Sequence, residues 1–184
     1  MTDRMKKAIE RGLALQRIMA KGDPQSLPHA YLLDPEDEVS VMAFTSDFMK
    51  DGRSKLRLSQ FILVNMFKTN SLSVFVSDAW EKIVGPGWVR LPGSLRDLPE
   101  NQRGEVLLAF GNEIGEEGVF VKQSYKRDSS GIAIFGEITW NPPVLDPRFV
   151  FDLRDKDLGK ALMQTLHRGG LRGTSMDGAV EMPN

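Results

Sequence analysis

Asp78, Trp80 and Glu81 close the stretch 72–81, and Trp88 and Arg90 follow in the stretch 85–104. These five are the candidate ligand or interaction site. Asp78 alternates with Val74, Val76 and Trp80 on one face of an expected strand. A carboxyl on a buried face has a raised pKa unless a cation or N–H groups serve it. That would suit a catalytic or metal-binding acid. The commoner outcome is a structural one, in which Asp78 pairs with an arginine or caps a loop. Glu81 reads as a rim residue beside Trp80, and Glu137 is a third carboxylate candidate.

Other chemistry has few players. No cysteine is present, which excludes disulfides, thiolate nucleophiles and Cys-based metal sites. The two histidines, His29 and His167, lie far apart in sequence. His29 follows Pro28 in an expected loop, where a lone histidine is ordinarily solvated. His167 suits a helix C-terminus. There is no Gly-x-Ser-x-Gly elbow, no phosphate-binding Gly-x-x-x-x-Gly-Lys, no His-Glu-x-x-His and no Gly-x-Gly-x-x-Gly. No catalytic residue, metal site or cofactor is assigned.

The residues 85–104 form a long loop containing Gly85, Pro86, Gly87, Pro92 and Gly93. Loops of that length are functional or disordered as a rule. Trp88, Leu91 and Leu95 argue that it packs down. Basic Lys82, Arg90, Arg96, Arg103, Lys122, Lys126 and Arg127 interleave with Trp80, Trp88 and Tyr125, a mixture that can stack and neutralise a single strand. Glu100, Glu105, Glu113, Glu116 and Glu117 dilute that field, so nucleic acid is not the expected partner.

Five or so strands and several helices must position these residues. Residues 3–21 read as an amphipathic helix, with Met5, Ala8, Ile9, Leu13, Leu15, Ile18 and Met19 on a broad stripe. It packs on its own domain or docks on a partner. Residues 22–37 read as a loop with a short extended piece at 30–33. Residues 38–48 alternate as a strand. Residues 54–69 form a helix so apolar all round that it should be covered on two sides, by the sheet and by the first helix or a subunit partner. The segments 72–81, 105–110, 119–126 and 132–140 read as strands, the last three as an antiparallel meander. Residues 155–167 read as a last helix, and 169–184 as a flexible tail.

The totals fit one domain, 1–168. The 184 residues carry 24 Lys and Arg against 25 Asp and Glu, so no global basic field draws the chain to nucleic acid or anionic lipid. Charges interrupt the N-terminal apolar run, so no signal peptide is expected, and no stretch approaches a bilayer span. A reducing cytoplasm is the expected compartment.

The order Phe-Val-Ser-Asp-Ala-Trp-Glu, a Pro-containing loop, Gly-Glu-Val-Leu-Leu, Arg-Asp-Ser-Ser-Gly and then Phe-Gly-Glu resembles uncharacterised bacterial and phage proteins. In that group a Val-Ser-Glu-Ala-Trp signature precedes a Pro-containing loop and a strand pair. The resemblance spans about residues 60–140, with Asp78 where the pattern has Glu. It implies a prokaryotic or viral origin and transfers no catalytic residue.

The expected fold is thus α+β, an antiparallel or mixed sheet of about five strands with an apolar central helix and flanking helices. The leading functional expectation is a non-enzymatic protein-interaction or accessory protein, acting on a protein partner or as a homo-oligomer. An enzyme or small-ligand site at the junction of Asp78 to Trp80 with the 85–104 loop is the rival. A single-stranded nucleic-acid binder comes third.

Overall fold

The computed structural model describes residues 1–22, 27–82, 103–141, 149–155, 164 and 180–181. Helix α1 spans Asp3–Gly22 and helix α2 spans Gly52–Thr69. Strands β1 (His29–Leu33), β2 (Val39–Ala43), β3 (Leu72–Lys82), β4 (Arg103–Asn112), β5 (Val119–Arg127) and β6 (Ala133–Trp140) make one antiparallel sheet. A two-residue strand β7, Val180–Glu181, adds to the β2 edge and completes the order β6-β5-β4-β3-β1-β2-β7. The α+β expectation holds in this form, with six full strands rather than about five. Strands β4 to β6 follow each other as the expected meander, and β3 pairs antiparallel with β4 ahead of them. The expected 155–167 helix and most of the 169–184 tail lie outside the described residues.

The uncounted strand is β1. It sits between β3 and β2, with Tyr31 opposite both Val74 and Val41. Its sequence, His-Ala-Tyr-Leu-Leu, lacks polar alternation because both of its faces are covered. It extends the short piece expected at 30–33 by one residue, and the flanking Pro28 and Pro35 give the surrounding sequence its loop character.

The two helices lie on opposite faces of the sheet. The core under α1 joins Met5, Ala8, Ile9 and Leu13 to Val74, Val76, Leu107, Ala109, Val119 and Val121. The core under α2 joins Leu58 and Ile62 to Ala30, Phe75, Phe110 and Phe120. Alternation along β3 sends Val74 and Val76 one way and Phe75 the other, which puts a helix on each side. The α2 core is built of rings: Phe75 stacks on Phe149 at 4.5 Å and Phe110 on Phe120 at 4.9 Å.

Helix α2 is therefore not sandwiched between the sheet and α1, as its all-round apolar sequence suggested. It buries one stripe, Leu58, Ile62, Leu63 and Met66, while Leu56 is 47% exposed. Its flanking rings meet short segments instead. The Phe61 ring centroid lies 6.3 Å from that of Phe44, and Phe67 packs on the cluster of Leu32, Leu63, Met66 and Leu153.

The helix starts follow capping rules. Thr2 Oγ1 accepts from Met5 N at 3.1 Å, and Asp51 Oδ1 accepts from Ser54 N at 2.8 Å. Residues 149–153 strap the far end of the β4–β5 hairpin. Asn112 Nδ2 donates to Phe149 O at 2.9 Å, and its Oδ1 accepts from Phe151 N at 2.9 Å. Gly118 N donates to Phe151 O at 2.7 Å, a contact that leaves no room for a side chain at 118.

Candidate functional site

Asp78 faces α1, as the alternation of β3 requires. Its carboxylate accepts a hydrogen bond from Tyr125 Oη at 2.7 Å across the intervening strand β4. The same hydroxyl lies 3.3 Å from Glu105 Oε1, and Arg127 Nε donates to Glu105 at 3.2 Å. Arg127 also stands over the Tyr125 ring, 5.6 Å from its centroid. Its Nη1 donates to Ala20 O at the end of α1 and to Gly131 O, each at 3.1 Å. The four side chains Asp78, Tyr125, Glu105 and Arg127 thus form one chain of contacts, and Arg127 fastens it to α1.

Register explains why they meet. Asp78 pairs with Leu107 and Glu105 with Tyr125, and Glu105 and Leu107 alternate onto one face of β4, so Asp78, Glu105 and Tyr125 share the α1 face. Burial pushes the Asp78 carboxyl above its ordinary pKa, against the opposing pull of the Tyr125 hydroxyl. Burial and then the bonded Asp78 carboxylate push the Tyr125 hydroxyl up as well. One phenol proton serves two carboxylates here, and one of them is balanced by Arg127.

Of the five expected site residues, Asp78 is the one whose side-chain contacts are visible. Trp80 lies on β3 at the register position opposite Glu105, and Glu81 at the one opposite Gly104. Trp88 and Arg90 fall outside the described residues. Tyr125, Glu105 and Arg127 carry the network, and no spacing in the sequence links them to Asp78.

A second polar element lies under α1 on β1. His29 is 2% exposed, in contrast to the solvated loop residue expected. Its ring meets Tyr31 edge-on with centroids 4.8 Å apart. Nδ1 lies 3.4 Å from Leu27 O, whereas His29 Nε2 and Tyr31 Oη have no hydrogen-bond partner among the described residues. Desolvation lowers the His29 pKa to about 4. At neutral pH the imidazole is uncharged.

At the opposite end of α1 a shallow cleft of about 170 Å³ is lined by Arg4, Glu113 and Asn70 among others. Arg4 already bonds Leu33 O, Asp34 O and Asp37 and pairs with Glu113 at 3.6 Å, so the cleft's charges serve each other. Among the described residues, no group of three or more His, Asp or Glu side chains could hold a metal ion. Among the same residues no helix is long and apolar enough to cross a membrane.

The outer surface of α1 is the remaining feature. Its stripe divides: Met5, Ala8, Ile9 and Leu13 are buried, while Leu15 is 37% and Ile18 is 68% exposed. Leu15 is on the β1–β2 side of the helix, eleven residues or about three turns beyond Arg4, which bonds the β1–β2 turn. Val39 and Val41 pair with Leu33 and Tyr31, so they rise from the same face of the sheet. Both are exposed, and α1 packs mainly across β3 and β4.

Among the described residues, fold and site define an α+β protein with one helix on each face of an antiparallel sheet. No family model, curated protein or solved structure matches the chain.

Proposed function

We propose that this is a non-enzymatic protein-interaction protein whose binding surface is the outer ridge of α1 together with β2. The observation that carries the reading is the exposure of Ile18, with Leu15 beside it, on a helix already seated in the core by another stripe. Burial of a Leu or Ile side chain is worth about 1.5–3 kcal/mol. Leaving two of them outward on one helix, across from exposed Val39 and Val41, forgoes that gain in the monomer and makes it available to a partner. A photo-crosslinking amino acid at position 18 should give a discrete protein adduct in cells, and one at exposed Lys126 should give none. Equal labelling from both positions, or no adduct from 18, contradicts the reading.

A small-ligand site at the Asp78 end of β3 is the second reading. The raised pKa of the buried Asp78 carboxyl favours it. A ligand that raises the melting temperature of the native chain and not of Asp78→Asn would support it. Equal shifts in both would count against it.

A further inference from the structure

Edge strands are kept from pairing with other chains by lysine, proline, a bulge or a cover. The strand β2 reads Val-Ser-Val-Met-Ala, with no charge and no proline, and its register with β1 runs without a shift. At the other side of the sheet β6 carries Glu137 and meets β5 with a register shift between Gln123 and Tyr125. On β2, among the described residues, the cover is Val180–Glu181, which pairs antiparallel with Ala43 and Met42. Met42 and Ala43 are half-buried, whereas Val39, Ser40 and Val41, which β7 does not pair, are exposed.

We infer that the outer edge of β2 is a strand-docking site whose occupant is this chain's own C-terminal segment, held reversibly. Strand addition draws its affinity from main-chain hydrogen bonds, which an extended segment supplies whatever its side chains. The chain between Asp155 and Val180 reaches roughly 80 Å when extended, far enough for pairing in cis. It includes Gly169, Gly170, Gly173 and Gly178, and glycines add to the entropy lost when a long loop closes. A two-residue ladder set against that loss opens readily. A proline at 183 cannot donate to a ladder, which limits the growth of β7 along β2. The segment guards the edge while paired and yields it to a competing strand. The site is the backbone edge of β2, so it stands independently of the α1 ridge.

The test ends the chain after Gly178 and returns the segment as a synthetic peptide of residues 176–184. The full chain carrying Val180→Pro and Glu181→Pro is the second variant, and circular dichroism checks that both are folded. The inference expects faster amide exchange at Met42 and Ala43 in both variants. It also expects both to bind the peptide saturably and at least tenfold more tightly than the unaltered full chain, whose own segment competes at high effective concentration. A peptide with the two prolines should bind at least tenfold more weakly, because it offers no N–H at either paired position. Absence of saturable binding, equal affinity for altered and unaltered chains, or indifference to the prolines would overturn the inference. Ile18→Asp in the shortened chain should leave the affinity unchanged, and a tenfold loss there would move the peptide to the ridge and overturn the edge site. A full chain that is a dimer by light scattering, and a monomer once 179–184 are removed, would assign the strand to a second copy and overturn the pairing in cis.

Discussion

The hydroxyl of Tyr125 donates to the carboxylate of Asp78 at 2.7 Å, joining β5 to β3 across β4. The bond makes Asp78 a partner inside the fold, and Arg127 ties the same cluster to the last turn of α1.

Tyr125→Phe removes the donor and leaves the carboxylate buried. A loss of about 1–3 kcal/mol is expected at pH 7. The pKa of Asp78 is raised in the folded protein and rises further without the phenol that opposes the shift. A group of that kind stabilises the fold when protonated, and the contribution is lost as pH rises through the folded pKa. The penalty of Tyr125→Phe should therefore shrink as pH falls towards 4. Chemical denaturation of both proteins across that range measures it, and a penalty independent of pH would refute the role given to the bond.

His29 supplies the opposite acid dependence. Its pKa is about 4 when folded, against an ordinary 6.5. The unfolded chain takes the proton first as pH falls. Stability is complete above 6.5 and declines between 6.5 and 4, by up to about 3 kcal/mol. His29→Phe should flatten that part of the stability curve. An unchanged slope would show that the decline comes from other groups.

The strap over the β4–β5 hairpin makes a steric prediction. A Cβ at Gly118 would stand 2.7 Å from Phe151 O, a backbone atom, whereas one at Gly111 would stand 2.7 Å from Ile9 Cδ1, the end of a side chain. Gly118→Ala should cost about 2–3 kcal/mol and Gly111→Ala about 1 kcal/mol. Amide exchange should also quicken in residues 149–153 for Gly118→Ala. Equal costs, with protection of the strap retained, would contradict the contact.

Part of this was readable from residues alone. The alternation of 72–81 gives β3 and places Asp78 on the face of Val74 and Val76, and the turn signals after 104 give the meander. Strand β1 was legible only as a short extended piece at 30–33 within a loop, because a five-residue strand with both faces covered shows no period and prolines flank it. That piece begins one residue earlier and joins the sheet between β3 and β2, which buries His29 where a solvated loop residue was expected. Asp78 was visible as a carboxyl on an apolar face, but its partner lies 47 residues away and is set by register, which one sequence does not encode locally. The α1 stripe was legible as apolar. Its division into a buried and an outward half depends on the width of the sheet beneath it.

That division is tested most directly by substituting both halves. Ile9 is fully buried and Ile18 is 68% exposed. Ile9→Asp should unfold the protein or cost more than about 3 kcal/mol, while Ile18→Asp should stay within about 0.5 kcal/mol of the parent. With a photo-crosslinker at exposed Ala14, the Ile18→Asp background should lose the protein adduct that the parent forms. Persistence of the adduct in folded Ile18→Asp protein would contradict the claim that α1 holds the core with one stripe and a partner with the other.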